Sequence, residues 1–193
     1  MKLILSSNSP RRKELLAGLD LPFEVRLLDG IDESYPDSLP VEMTAEYIAH
    51  KKSLAYEVAP DEVLITADTI VVVDNKILGK PADAEKATQM LNFLSGKSHR
   101  VITGVCLKGY DKQRCFSVIS EVTFKQLSAQ EIDYYVKKYK PFDKAGAYGI
   151  QEWIGYIGVT SLSGSYFNVM GLPVQRIYEE LRSSFDFTIE SNQ

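Results

Sequence analysis

Cysteine, histidine and tryptophan are scarce in this chain: two Cys, two His and one Trp in 193 residues. Two cysteines, Cys106 and Cys115, do not make a disulfide framework, and they lack the spacing and partners of a zinc site. The expectation is a pair of reduced thiols in a cytoplasmic protein. His50 and His99 have no matching partners for a metal or a catalytic triad, so both read as structural or surface side chains. A long hydrophobic run is also missing. The longest, Val63 to Val73, is interrupted by Asp68 and falls far short of the roughly 20 residues that span a bilayer. The segment MKLILSSNSPRR has no small-residue cleavage site and does not read as a signal peptide. There is no excess of positive charge: 22 Lys+Arg against 26 Asp+Glu leaves −4. That speaks against non-specific nucleic-acid binding, although Arg11-Arg12 and Lys137-Lys138 are local basic pairs. No repeat, low-complexity segment or linker is visible, so one domain over residues 1–193 is expected, with no membrane and no nucleic acid as partner.

What is present is an ordinary globular composition, 45% hydrophobic and 25% charged. Strand-like and helix-like patterns alternate, which argues for an α/β architecture. Leu3 to Leu5 reads as a strand. Pro10 to Gly18 reads as a helix, with Ser9 as N-cap and Pro10 at its first position. Phe23 to Leu27 alternates as a half-buried strand does, Asp29 to Pro40 is a polar loop, and Val41 to Val58 has helical spacing. After Val63 to Val73 comes a turn at Asn75-Lys76, then a helix from about Asp83 to Leu94. Val101 to Leu107 and Arg114 to Phe124 read as paired strands around Tyr110-Asp111, a register that sets Cys106 opposite Cys115. Ser128 to Glu131 is a capping box opening a helix, and Pro173 to Leu181 is a last amphipathic helix.

Five features depart from what folding alone asks for. A helix start carries partial positive charge, yet Arg11 and Arg12 occupy the first turn after Ser6-Ser7-Asn8-Ser9. Either an anion such as phosphate collects the N–H groups, hydroxyls and guanidinium forks there, or the arginines are simply solvated. Asp68 sits inside VLITADTIVVV. A carboxylate in such a run is either a metal ligand or general base facing a cleft, or part of a turn at Ala67-Asp68-Thr69 between two strands. Lys52 falls on the same helical face as Ala45, Ile48 and Ala49, and either snorkels to the surface or reaches a buried anion. Lys80, between Gly79 and Pro81, is not part of a Walker A loop and on its own reads as a loop lysine. Asp143 to Gln151 is rich in small residues that let a ligand approach the backbone, and the Gln151 amide suits a base edge; alone it is a glycine-rich connection with no catalytic group. Glu33, in the acidic loop, suits a metal or plain solvent. Together these features are the inventory for binding a polyphosphate and attacking it with metal-activated water.

At this point the chain resembles the Maf-type nucleoside triphosphate pyrophosphatases, once described as septum-formation inhibitors. The resemblance runs through Ser7-Asn8-Ser9-Pro10-Arg11-Arg12, Ala67-Asp68-Thr69, Gly79-Lys80-Pro81, Leu94-Ser95-Gly96 with His99, Asp143 to Gln151, and Asn168 to Pro173. It implies an α/β fold, an elongated mixed sheet with flanking helices and two lobes around a cleft, similar to inosine triphosphate pyrophosphatases. It implies hydrolysis of a nucleoside triphosphate to monophosphate and pyrophosphate with a divalent cation, Mg²⁺ or Mn²⁺. By the same resemblance Asp68 is the catalytic proton acceptor, and Arg12, Thr69 and Gln151 set substrate choice. Ser7, Arg11, Arg12, Lys52 and Lys80 contact phosphate, and Glu33 joins Asp68 on the metal side. The segment Lys144 to Gln151 resembles the branch acting on dTTP and UTP. Two positions depart from the family's usual pattern: Ser6 stands where Ala is usual, and Glu152-Trp153 follows Gln151 where Gly is common. A homodimer is expected only from the resemblance. The rival reading is a non-catalytic nucleotide-sensing regulator of cell division, which would use the same cationic pocket and tolerate loss of Asp68.

Overall fold

A computed structural model describes residues 1–185 and Phe187. Its spine is strand β3 (Glu62–Val73), an unbroken twelve-residue run of mostly β-branched and apolar side chains. The turn alternative at Ala67-Asp68-Thr69 is thereby excluded. β1 (Lys2–Ser6) pairs parallel with the first part of β3, and β2 (Phe23–Val25) pairs parallel with β1. On the other side β5 (Ser98–Lys108), β6 (Gln113–Phe124) and β7 (Val159–Ser163) follow antiparallel, while β4 (Lys76–Leu78) pairs antiparallel with the far end of β3. The result is a mixed seven-stranded sheet in the order β2-β1-β3-β5-β6-β7, with β4 off that path. Helices α1 (Pro10–Ala17), α2 (Val41–Leu54), α3 (Ala84–Leu94), α4 (Ala129–Tyr139), α5 (Trp153–Gly158), α6 (Tyr166–Met170) and α7 (Val174–Ser184) flank it. The α/β expectation therefore holds.

Several boundaries move. The hairpin turn lies at Asp74 and Asn75, both at positive φ (49° and 58°), one residue earlier than expected; two left-handed residues match the twist of the flanking strands. α2 stops at Leu54 and β2 at Val25, short of their apolar patterns. Cys106 and Cys115 do face each other across β5 and β6, with Cα atoms 4.1 Å apart. They are joined in a disulfide, which corrects the expectation of reduced thiols. Direct opposition in an antiparallel pair already supplies the closeness that such a bond needs.

Strand alternation splits the core. On one face of β3, Val63, Ile65 and Ala67 pack with Leu16, Leu172 and Ile177, while Val71 and Val73 pack with Leu91, Leu94 and Ile154. Thr69 lies between these two clusters on that face. On the opposite face Ile70 and Val72 pack with Ala45 of α2. Asp68 belongs to that second face. α2 lies so close to the sheet that a Cβ on Gly104, the β5 residue paired with Asp68, would stand 2.2 Å from the Ala45 carbonyl carbon and the Glu46 nitrogen. The Thr66 hydroxyl donates to Ala49 O at 2.6 Å and fixes the same approach. Gly104→Ala is expected to cost about 1–3 kcal/mol or more, because backbone rather than a flexible side chain must give way. A urea midpoint equal to that of the wild type would contradict this packing.

Candidate functional site

The site begins as a gap in the edge of β3. β1 covers that edge up to Ser6 opposite Thr66, and β4 resumes opposite Val71. Among the described residues, Ala67 to Ile70 between them have no strand neighbour on this edge. Arg12 fills the gap. Its Nη1 donates to Ala67 O at 2.8 Å, its Nη2 to Thr69 Oγ1 at 3.0 Å, and its Nε to Gly171 O at 2.8 Å. One guanidinium thus ties α1, β3 and the turn after α6 together. Burial pushes its pKa down from the ordinary value, against the opposing pull of Asp68.

Asp68 points to the α2 side. Lys52 Nζ donates to Asp68 Oδ1 at 2.8 Å and lies 2.9 Å from Glu33 Oε1. One ammonium therefore holds two carboxylates together, with the Lys52 and Asp68 side chains only 13% and 17% exposed. Lys52 sits in the last turn of α2, where a cation is favoured by the helix dipole. Burial alone would raise the Glu33 carboxyl's pKa, but the bond to Lys52 and the charges of Lys52, Lys80 and Arg12 hold it below the usual range.

The start of α1 forms the next wall. Ser9 Oγ accepts from the Arg12 amide at 3.4 Å, Ser7 Oγ accepts from the Ser9 amide at 3.2 Å, and no acidic residue occupies the first turn. Arg11 Nη1 reaches across to Asp143 Oδ2 at 2.8 Å. Two adjoining hollows share Arg11, Arg12, Lys52 and Lys80. One of them adds Asp68, Thr69 and Gln151, and the other adds Ser7 and Glu33. Every candidate catalytic, phosphate-binding, specificity or metal residue of the sequence analysis thus lines one or both of these adjoining hollows. Gln151 Oε1 is buried without a hydrogen-bond partner among the described residues.

Residues 2–184 match the family model described as Maf-like protein. The chain belongs to the Maf family. Among curated relatives of this Maf chain, a dTTP/UTP pyrophosphatase of Phocaeicola vulgatus is 61% identical over 94% of this chain and 95% of its own length. One of Bacteroides fragilis is 55% identical over the same shares, and one of Flavobacterium johnsoniae is 48% identical over 93% of each. A solved nucleoside-triphosphatase / dITP/XTP pyrophosphatase from Mycobacterium abscessus aligns over 94% of this chain and 95% of its own, at 15% identity and a TM-score of 0.45, a likeness too low to argue from.

Sequence reasoning missed partners that only the fold brings near. Asp143, part of a segment read as lacking any catalytic group, closes the cleft by its bond to Arg11, 132 residues away. Asn168 is fully buried, and its Nδ2 donates to Val101 O at 3.1 Å and to Ser120 Oγ at 3.0 Å, which fixes the turn that receives Arg12. Its place in the run Asn168 to Pro173 was the only signal.

His99 is structural, as expected. It is 2% exposed, packs on Phe124, and its Nε2 lies 2.7 Å from Tyr148 Oη in the cleft wall. Burial lowers its pKa from 6.5 to about 4. The unfolded chain therefore binds the proton that the folded one refuses, and stability falls as pH drops from about 6.5 toward about 4. The loss from this group is on the order of 3 kcal/mol. A His99→Gln variant is expected to show a flatter melting temperature over that pH range than the wild type. Parallel pH profiles for the two would refute this.

Proposed function

We propose that this Maf chain hydrolyses dTTP and UTP to the monophosphate and pyrophosphate. The observation that carries the reading is Asp68 in the strand-edge gap, on one cleft with Arg11, Lys52 and Lys80 on its phosphate side and Gln151 in its other wall. The names of relatives 48–61% identical over more than nine-tenths of the chain support it.

Arg11, Lys80, Ser7 and the α1 N-terminus bind the triphosphate, since cationic forks and free N–H groups match phosphate oxygens. Asp68 orients a water and takes its proton as the water oxygen bonds to the α-phosphorus. The bond from that phosphorus to the bridging oxygen breaks, and pyrophosphate leaves. Arg12, already committed to Ala67, Thr69 and Gly171, sets Thr69 rather than roaming to a phosphate.

Asp68 and Glu33 are the residues that would hold a divalent cation. These are two hard carboxylates of the kind Mg²⁺ or Mn²⁺ takes, but Lys52 Nζ now pairs with both, and no group of three His, Cys, Asp or Glu suited to a metal exists among the described residues, so an ion would need Lys52 to turn away and substrate phosphates to complete its ligands. Mg²⁺ is usually bound by one or two carboxylates together with substrate phosphates. Such an ion supplies charge neutralisation on the phosphate oxygens.

The base is read by Gln151. Gln151 lines the cleft, and its Oε1 is an acceptor without a donor among the described residues. The N3–H of thymine or uracil supplies one, and the amide nitrogen returns a bond to O4. Cytosine presents the opposite pattern and leaves both groups unpaired while the amide is held in that orientation. The test is a panel of triphosphates with Mg²⁺ or Mn²⁺, with monophosphate, diphosphate and pyrophosphate resolved. Monophosphate and pyrophosphate from dTTP and UTP are expected. Nucleotide bound without turnover would replace this reading by the sensor.

A further inference from the structure

Gln151 is flanked on both sides by residues that one hydroxyl holds. Tyr135 on α4 is fully buried, and its Oη accepts from the Gly149 amide at 3.1 Å while donating to Glu152 Oε2. The second carboxylate oxygen, Glu152 Oε1, lies 3.1 Å from Lys144 Nζ. Lys144 is 8% exposed and also donates to Asp143 Oδ1 at 2.9 Å. The other Asp143 oxygen takes Arg11. An unbroken polar chain thus runs from the helix behind the base wall to the first turn of α1. Gly149 is threaded through its middle: an added Cβ would come within 3.0 Å of Gln151 Nε2 and 3.1 Å of both Glu152 Cδ and Lys144 Cε.

We propose that Glu152 and Tyr135 are positioning residues that bracket Gln151, hold its amide in the orientation that presents Oε1 to the N3–H of a 4-oxo pyrimidine, and tie that wall through Lys144 and Asp143 to Arg11. The inference rests on the pyrophosphatase reading and deepens it. Neither residue touches the reacting atoms. Their effect passes through the backbone on either side of Gln151 and through the charge that holds Lys144. Without the Glu152 charge, Lys144 turns wholly to Asp143 and competes with Arg11 for it. Buried polar chains of this kind specify one geometry only while every member is satisfied.

The experiment measures kcat and KM for dTTP, UTP and dCTP in the wild type, Glu152→Gln and Tyr135→Phe, with melting temperatures alongside. The ratio of kcat/KM for dTTP over dCTP is expected to fall about fivefold or more in both variants, as for the loss of one net hydrogen bond. KM for dTTP is expected to rise more than kcat falls. A purely structural role would lower the melting temperature and leave the nucleotide ratio alone. Tyr135→Phe changes no charge and reads the proposal should Glu152→Gln not fold. Ratios within twofold of the wild type in the folded variants overturn the bracket and leave the pyrophosphatase reading standing. A wild type that makes no monophosphate and pyrophosphate from dTTP overturns that reading, and the bracket's role with it.

Discussion

Asp68→Asn is expected to lower kcat for dTTP by about 10²–10⁴-fold, the range lost with a positioned general base. Binding of dTTP should survive, because the phosphate arms Arg11, Lys80 and Ser7 come from other elements. The fold should survive as well. Asp68 sits mid-strand in an antiparallel ladder with β5 that the substitution does not touch, and an asparagine oxygen still accepts from Lys52, now 2.8 Å from the carboxylate. What asparagine lacks is the ability to take a proton from water. The measurement pairs pyrophosphate release with calorimetric dTTP binding. A folded variant that binds dTTP and turns it over near the wild-type rate would show that Asp68 is not the base. Loss of binding along with turnover would make its contribution one of charge on the cation side. The two outcomes separate because Asp68 and the arginines lie on different walls.

How much of this was readable beforehand depends on whether the signal was local. Asp68 stood out because an acid in an apolar strand is costly unless it is used, and Lys52 because helical spacing placed it on the buried face. Arg11 and Arg12 stood out against the helix dipole. All of them were found in one cleft. That Asp68 and Thr69 face opposite sides of β3 follows from strand alternation once the strand is known to be unbroken, but the sequence left the turn alternative open. The gap that exposes them depends on where β1 ends and β4 begins, and so on pairing register rather than on local pattern. The Arg11–Asp143 bond and the Asn168 anchor join positions far apart in the chain, with no local mark. α5, β7 and α6 are not legible in the sequence, because five or six residues within or between glycines carry too little periodicity. The facing of Cys106 and Cys115 is legible as register, whereas the disulfide between them is not, because the oxidation state of two opposed thiols leaves no mark in local sequence pattern.

Gln151→Ala is expected to reduce the preference for dTTP over dCTP by about 10–100-fold, with a smaller fall in the best rate. The size follows from the way a buried polar group discriminates. The wild-type amide favours thymine or uracil because their N3–H satisfies an acceptor left unpaired in the free protein, a gain of about 1–3 kcal/mol that cytosine does not supply in the same amide orientation. Alanine removes acceptor and donor together. Thymine and uracil then lose the bonds that cytosine never made, so the two substrates converge. The phosphate walls are untouched, so the chemical step keeps its geometry. The measurement is the ratio of kcat/KM for dTTP and dCTP in the variant against the wild type. An unchanged ratio would move base choice away from Gln151, to Thr69 or to the small residues between Lys144 and Gly149. A change larger than in Glu152→Gln and Tyr135→Phe is required by the ordering argued here, because Gln151 touches the base and those two only hold it in place.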